Sequence, residues 1–116
     1  MTHFSTIGAV ALGGAAGSVL RHLTVAAFGA PWAVAAINVL GSFLIGLTYV
    51  LLGPRFSPFV MTGVLGGFTT FSAFSLDTLK LWEAGRIPEA ALYVGVSVLL
   101  SLAAVSLGVT LARSLT

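Results

Sequence analysis

The sequence GVLGGFTTFSAFS, residues 63–75, decides the interpretation of the fold. This stretch lies inside an apolar run from about Phe59 to Glu83. Residues 66–75, the last ten of the stretch, include two glycines, four hydroxyl groups and three phenylalanines. A continuous helix over the run would be about 37 Å long, more than one crossing of a bilayer needs. A break near Gly66–Thr70 removes the excess, so the stretch predicts a broken membrane helix. The alternative is an unbroken packing helix that contains glycines.

The chain as a whole has the composition of a membrane protein. Of its 116 residues 58% are hydrophobic and 7% are charged, whereas about a quarter of a soluble domain is charged. Further apolar runs cover about residues 4–28, 32–52 and 89–112, separated by turns that contain glycine and proline. We therefore expect an all-α membrane protein with four transmembrane helices, the third broken near mid-membrane, in one domain of residues 1–116.

Several functional classes are excluded at this point. With no cysteine, the chain has no disulfide and no thiolate metal site. Its five Lys and Arg residues are scattered, which argues against nucleic-acid binding. The segment before the first apolar run has no Lys or Arg, so that run is expected to be a permanent span and not a cleaved signal peptide.

The basic residues are divided almost evenly between the two predicted sides of the membrane. Arg55 and Arg113 fall on one side, and Lys80, Arg86 and the nearby Arg21 fall on the other. This near-balance favours insertion in both orientations and an antiparallel homodimer. The alternative is that five charges are too few to carry the rule. A pair of such chains, unlike four helices alone, has enough helices to enclose a polar path.

Small residues at intervals of four predict close helix packing. Gly13 and Gly17 have this spacing in the first span, and Ser42 and Gly46 have it in the second. Such pairs let helix backbones approach one another in a membrane. They predict a tight bundle without indicating its function.

Polar side chains inside the spans are more informative, because an amide or hydroxyl buried in hydrocarbon needs a partner. Asn38 lies in the second span, and Tyr93, Ser97 and Ser101 form a stripe along the fourth. A membrane serine often bonds to its own helix, which is the alternative for the two serines. The amide of Asn38 exceeds what its own helix can satisfy, so we expect a neighbouring helix, water or a substrate as its partner.

The chemistry of these groups favours an anion. No acidic residue precedes Asp77, which argues against a proton-coupled cation exporter. Amide and hydroxyl donors can replace the hydration shell of a small anion, and the edges of Phe71 and Phe74 carry the positive part of the ring quadrupole. In the simpler alternative both rings are apolar filler. Unwound carbonyls at the predicted break are suitable ligands for Na⁺.

Three stretches resemble the signatures of one family. They are NVLGSFLIG at residues 38–46, GVLGGFTTFSAFS at residues 63–75 and Gly14-x2-Gly17-x3-Arg21. Together, and in the length and order of the spans, they are similar to the Fluc fluoride channels, also called the CrcB family. One position departs from the pattern, since the family commonly has Thr where this chain has Ala73.

The resemblance implies an antiparallel dual-topology homodimer with two fluoride pores and a structural Na⁺ on the twofold axis. The backbone carbonyls of Gly66 and Thr69 from both subunits would hold the Na⁺. Arg21 would lie at a pore entrance and draw in anions. By the same resemblance the fluoride pore would be lined by Asn38, Thr70, Phe71, Phe74, Tyr93, Ser97 and Ser101.

The function expected from the sequence is a passive channel, not an enzyme, that lets fluoride leave the cytoplasm through a bacterial cell membrane. The alternative is a four-span exporter resembling the small multidrug resistance family. That class needs a carboxylate in the first span, and this chain has none there. A structural or assembly protein of the membrane is a third class, but it would need no polar stripe.

Overall fold

Helices form almost the whole of the chain. The computed structural model describes residues 3–116; Met1 and Thr2, which the predicted domain includes, lie outside them. The helices are α1 (His3–Phe28), α2 (Trp32–Leu51), a π-helix (Pro58–Leu65), the short α3 (Gly66–Phe68), α4 (Phe71–Glu83) and α5 (Ile87–Ser114). No residue from 3 to 116 is in a β-strand. The four predicted spans are confirmed, and their ends lie within a few residues of the expected positions.

Turns with glycine or proline separate the spans. Gly29, between α1 and α2, has φ 85°, and Gly85, between α4 and α5, has φ 77°. Both values are in the left-handed region, which glycine adopts without a steric penalty. Four helices, with the third counted from Pro58 to Glu83, are long and apolar enough to cross a membrane. The all-α membrane class predicted from composition is therefore confirmed.

Two helix pairs form the bundle, and glycine brings the members of each pair together. Along α1, Gly13 and Gly17 lie against the backbone of the π-helix, where a β-carbon would collide with the carbonyl oxygens of Phe59 and Val64. The second pair joins α2 to α5 and is the most extensive contact in the chain. There Gly46 faces Gly108. Ser42, the other member of the pair predicted with Gly46, lines a cavity.

A small core lies where α2, α4 and α5 meet. Its members are buried apolar side chains that include two aromatic rings: Val34, Ala35, Phe74, Leu81, Ala90 and Tyr93. Outside this core many large apolar side chains are exposed, for example Leu12, Leu99 and Leu107. Lipid covers such surfaces in a membrane protein, so the small core is sufficient.

Candidate functional site

The third span is broken at Thr69 and Thr70, the C-terminal end of the predicted segment. Both residues are extended, with φ −82°, ψ 155° at Thr69 and φ −153°, ψ 121° at Thr70. Thr70 also begins α4, because its Oγ1 accepts a hydrogen bond from the N–H of Ala73 at 3.1 Å. Threonine is a favoured N-cap residue, and two glycines just before it weaken the preceding helix. Local sequence thus explains both sides of the break.

Asn38 on α2 fixes the broken backbone. Its Oδ1 accepts a hydrogen bond from the N–H of Thr70 at 2.8 Å, and its Nδ2 donates to the carbonyl of Thr70 at 3.0 Å. One side-chain amide therefore satisfies both backbone groups of the same residue. The expectation that Asn38 needs a partner beyond its own helix is confirmed. One of its two Nδ2 hydrogens is left for another acceptor.

The break also releases carbonyl groups from their helical donors. In a continuous helix the N–H of Thr70 would bond to Gly66 and that of Ala73 to Thr69. Here Thr70 donates to Asn38, and Ala73 donates to the side chain of Thr70. The carbonyls of Gly66 and Thr69 thereby lose their usual partners. Both carbonyl oxygens can therefore accept a hydrogen bond from another group or bind a cation.

An open cavity of about 410 Å³ lies beside the break, and we call it the break cavity. Its wall combines backbone of the third span with the polar faces of α2 and α5. None of the described residues that line it is charged. All of the predicted site residues except Arg21 and Tyr93 belong to this lining: Asn38, Gly66, Thr69, Thr70, Phe71, Phe74, Ser97 and Ser101.

The hydroxyl groups of the break cavity differ in how far they are engaged. Thr70 Oγ1 already accepts from Ala73 and lies 3.3 Å from Ser72 Oγ. Ser97 Oγ is buried, and no described residue offers it a hydrogen-bond partner. A buried hydroxyl without a partner is costly in a protein interior. Among the hydroxyl groups that line the break cavity, Ser97 therefore has the greatest need of a ligand or water.

Two phenylalanines of α4 meet edge to face beside the cavity. The ring centroids of Phe71 and Phe74 lie 5.5 Å apart with an interplanar angle of 62°. Phe74 is 8% exposed and packs on Tyr93, with 5.3 Å between the centroids, whereas Phe71 is 77% exposed. The two rings therefore have different environments within one chain. Phe74 belongs to the core, and Phe71 projects from it.

Tyr93 and Arg21 lie away from the break cavity. Tyr93 is fully buried between Phe74 and Trp32, and its hydroxyl lies near the carboxylate of Asp77 without forming a hydrogen bond of regular geometry. Arg21 lines a second cavity of about 360 Å³, which we call the Arg21 cavity. Ser18, His22 and Asp77 also line it. The polar stripe of α5 therefore reaches from the break cavity into the core beside the Arg21 cavity.

Sequence reasoning did not select two residues that shape this region. Asp77 is buried on α4, and its Oδ2 lacks a hydrogen-bond partner within residues 3–116. Asp77 could have been selected from the sequence, because it lies one turn after Phe74 on the same face of the helix. Gly41 lies against the side-chain methyl of Thr69. No sequence signal distinguished it from the other glycines, because that contact joins two different helices.

Comparison with known proteins identifies the family of this chain. The profile of the family described as CrcB-like protein, Camphor Resistance (CrcB), matches residues 8–109. This chain belongs to the CrcB family. One relative, the Fluoride-specific ion channel FluC of Cereibacter sphaeroides, is 50% identical over 94% of this chain and 95% of its own. Proteins of the same name from Ruegeria sp. and Agrobacterium fabrum are 49% and 46% identical, over 93% and 94% of this chain and 94% and 97% of their own.

Membership in the CrcB family confirms three of the expectations. The resemblance found in the sequence is correct. The relatives are named as ion channels, so the family is not one of enzymes. Because these relatives are bacterial and four helices can span a bilayer, the chain is a multi-pass protein of a bacterial cell membrane.

Proposed function

We propose that this chain forms a passive channel through which fluoride leaves the cytoplasm. The break cavity is the observation that carries the proposal. It places uncharged donors and phenyl rings at a break within a membrane span, and its lining has no charged side chain. The relatives named Fluoride-specific ion channel FluC support the same function.

Fluoride is a small, hard anion that must lose water to enter a narrow apolar path. Three kinds of group replace that water in the proposed mechanism. The hydroxyl of Ser97 and the remaining Nδ2 hydrogen of Asn38 donate hydrogen bonds, and the edges of Phe71 and Phe74 present positive partial charge. The ion passes stepwise between these groups. Chloride is excluded because it is larger and gains less from the same donors.

A second copy of the chain completes the path in this proposal. The break cavity is open at the surface of one chain, and Phe71 projects from that surface. An antiparallel partner would close the cavity and give two equivalent pores. The even division of basic residues between the two sides supports insertion in both orientations. The resemblance implies a pore entrance at Arg21, where the positive charge of the side chain would draw in anions.

The proposal includes a structural Na⁺ between the two copies. The carbonyls of Gly66 and Thr69 fit this ion because both have lost their helical donors and both border the break cavity. Each copy would supply two oxygens, and a pair would supply four. A bound Na⁺ would offset the negative partial charge of the converging carbonyls.

The exporter alternative is less well supported. An exporter of the small multidrug resistance type needs a carboxylate in the first span, and among Asp, Glu, Lys and Arg that span holds only Arg21. Asp77 is a buried carboxylate, but it lies on α4 and lines the Arg21 cavity. The break cavity therefore has no group that would carry a proton in exchange for a cation.

Ion flux from liposomes tests the function. Purified protein is reconstituted with internal potassium fluoride or potassium chloride, and efflux is started with a potassium ionophore and followed with an ion-selective electrode. We expect rapid fluoride efflux, no chloride efflux above that of protein-free liposomes, and no need for a proton gradient. Equal chloride efflux, or fluoride efflux only with a proton gradient, would contradict the proposal.

A further inference from the structure

Arg21 makes a specific contact with the broken span. It is half-buried on α1, and its Nε donates a hydrogen bond to the carbonyl of Gly67 at 3.1 Å, across 46 residues of sequence. A guanidinium used only as a charge at a pore entrance would not need this contact. The contact indicates that Arg21 stabilises the backbone next to the break.

Gly67 lies in the last turn before the break. In a continuous helix its carbonyl would accept the N–H of Phe71, but Thr69 and Thr70 are extended between the two. The described residues provide no backbone donor to Gly67 in its place. The last carbonyls of a helix also carry its negative dipole end, where a cation is favourable. Arg21 supplies both the donor and the charge.

Close packing sets the position from which Arg21 acts. A β-carbon on Gly67 would collide with the carbonyl oxygen of Gly14, and it would lie 3.1 Å from the N–H nitrogen of Ser18. The backbones of α1 and the third span are therefore in contact one turn from Arg21. With so little space between them, the side chain reaches Gly67 through its Nε and not through its tip.

We infer that Arg21 is a positioning residue that caps the first half of the broken span. Asn38 holds Thr70 from α2, and Arg21 holds Gly67 from α1, so the two side chains fix the break on either side of Thr69. This differs from the attraction of anions at a pore entrance. The flux measurements below rest on the proposed fluoride function, whereas the spectroscopic measurement does not.

Three substitutions separate hydrogen bonding from charge. In Arg21→Gln the side-chain Nε2 stands the same number of bonds from the backbone as the Nε of arginine, so the donor is kept and the charge is lost. In Arg21→Lys the charge is kept, but a methylene occupies that position. Arg21→Met has neither the donor nor the charge, and it is the matched control for the loss of both.

The cap and the charge predict opposite orders of fluoride flux. For the cap we expect Arg21→Gln to keep flux within about threefold of the wild type, and both Arg21→Lys and Arg21→Met to lose about tenfold, the effect of one lost charged hydrogen bond. We also expect raised ionic strength to leave the ratio of Gln variant to wild type unchanged, because screening acts on charge. Near wild-type flux in Arg21→Lys with loss in Arg21→Gln would overturn the inference, as would wild-type flux in all three.

A measurement on the wild-type protein needs no substitution. Solid-state nuclear magnetic resonance of the labelled full chain in bilayers detects the dipolar coupling between Arg21 ¹⁵Nε and the Gly67 carbonyl ¹³C. We expect a coupling that corresponds to about 4 Å, the separation that a hydrogen-bonded N–H···O=C group imposes. Absence of the coupling would overturn the inference even if the variants fail to fold. If the coupling is present and wild-type liposomes pass no fluoride, the proposed function fails and the cap remains.

Discussion

The side chain of Asn38 replaces a backbone neighbour for Thr70. Its Oδ1 accepts from the Thr70 N–H at 2.8 Å and its Nδ2 donates to the Thr70 carbonyl at 3.0 Å. An amide is the side-chain group that matches both a donor and an acceptor of one peptide. The break therefore depends on α2, because the third span cannot satisfy Thr70 by itself.

Substitution of Asn38→Asp removes half of this pairing. The carboxylate still accepts from the N–H of Thr70, but it cannot donate to the carbonyl and repels it instead. We expect fluoride flux to fall about tenfold or more, since one hydrogen bond is lost and an unpaired charge is buried. Liposome efflux measures this. Thr48→Val on the same helix is the control, because Thr48 bonds only to its own helix at Ile45; an equal loss there would contradict the assignment.

Phe71 and Phe74 should respond differently to the same change. Phe71→Ile alters a ring that projects from the core of the chain toward the proposed path, so we expect fluoride flux to fall while the melting temperature in detergent stays close to that of the wild type. Phe74→Ile alters a core ring in contact with Tyr93, so we expect both flux and melting temperature to fall. Unchanged flux in Phe71→Ile would remove that ring from the proposed path.

Ser97→Ala should weaken function without weakening the fold. Ser97 Oγ is buried with no partner among the described residues, and such a group costs about 1–3 kcal/mol. Its removal is expected to leave the melting temperature equal or higher, while fluoride flux falls about tenfold because a donor is lost. Ser106→Ala is the control, since Ser106 donates to Leu102 at 3.0 Å on the exposed side of the same helix. Lower stability with normal flux in Ser97→Ala would show a purely structural serine.

The sequence predicted the features that local chemistry determines. Hydropathy marked the four spans, and the glycines and threonines of residues 66–70 marked the break. The contacts of that break were beyond prediction, because Asn38 and Thr70 are 32 residues apart and their pairing depends on how α2 packs. Helical periodicity placed Tyr93 and Ser97 on one face, but neighbouring helices decided that Tyr93 is enclosed in the core. The π-helical winding of residues 58–65 had no sequence signal.

Two glycines of α5 test the packing of the bundle. A β-carbon at Gly108 would collide with the carbonyl oxygen of Phe43 on α2, whereas one at Gly95 meets nothing within 4 Å. We expect Gly108→Ala to lower the free energy of unfolding by about 1–3 kcal/mol through overpacking. Gly95→Ala should raise it by about 0.5–1 kcal/mol through helix propensity. Denaturation in detergent micelles measures both, and equal effects would contradict the close approach of α2 and α5.

The proposed sodium site can be tested through Gly41. A β-carbon there would collide with the side-chain methyl of Thr69. Thr69 can yield by a shift of its backbone or by a rotation about χ1 that breaks the hydrogen bond from its Oγ1 to the carbonyl of Leu65. We expect either change to disturb the position of the released Thr69 carbonyl. We expect wild-type protein purified without sodium to lose fluoride flux and to regain it on titration with Na⁺ at constant ionic strength. Gly41→Ala should need about tenfold more Na⁺, the effect of a weakened oxygen ligand, while Gly95→Ala should titrate as the wild type does. Full flux without sodium in the wild type, or identical titrations of all three proteins, would remove Na⁺ from the break.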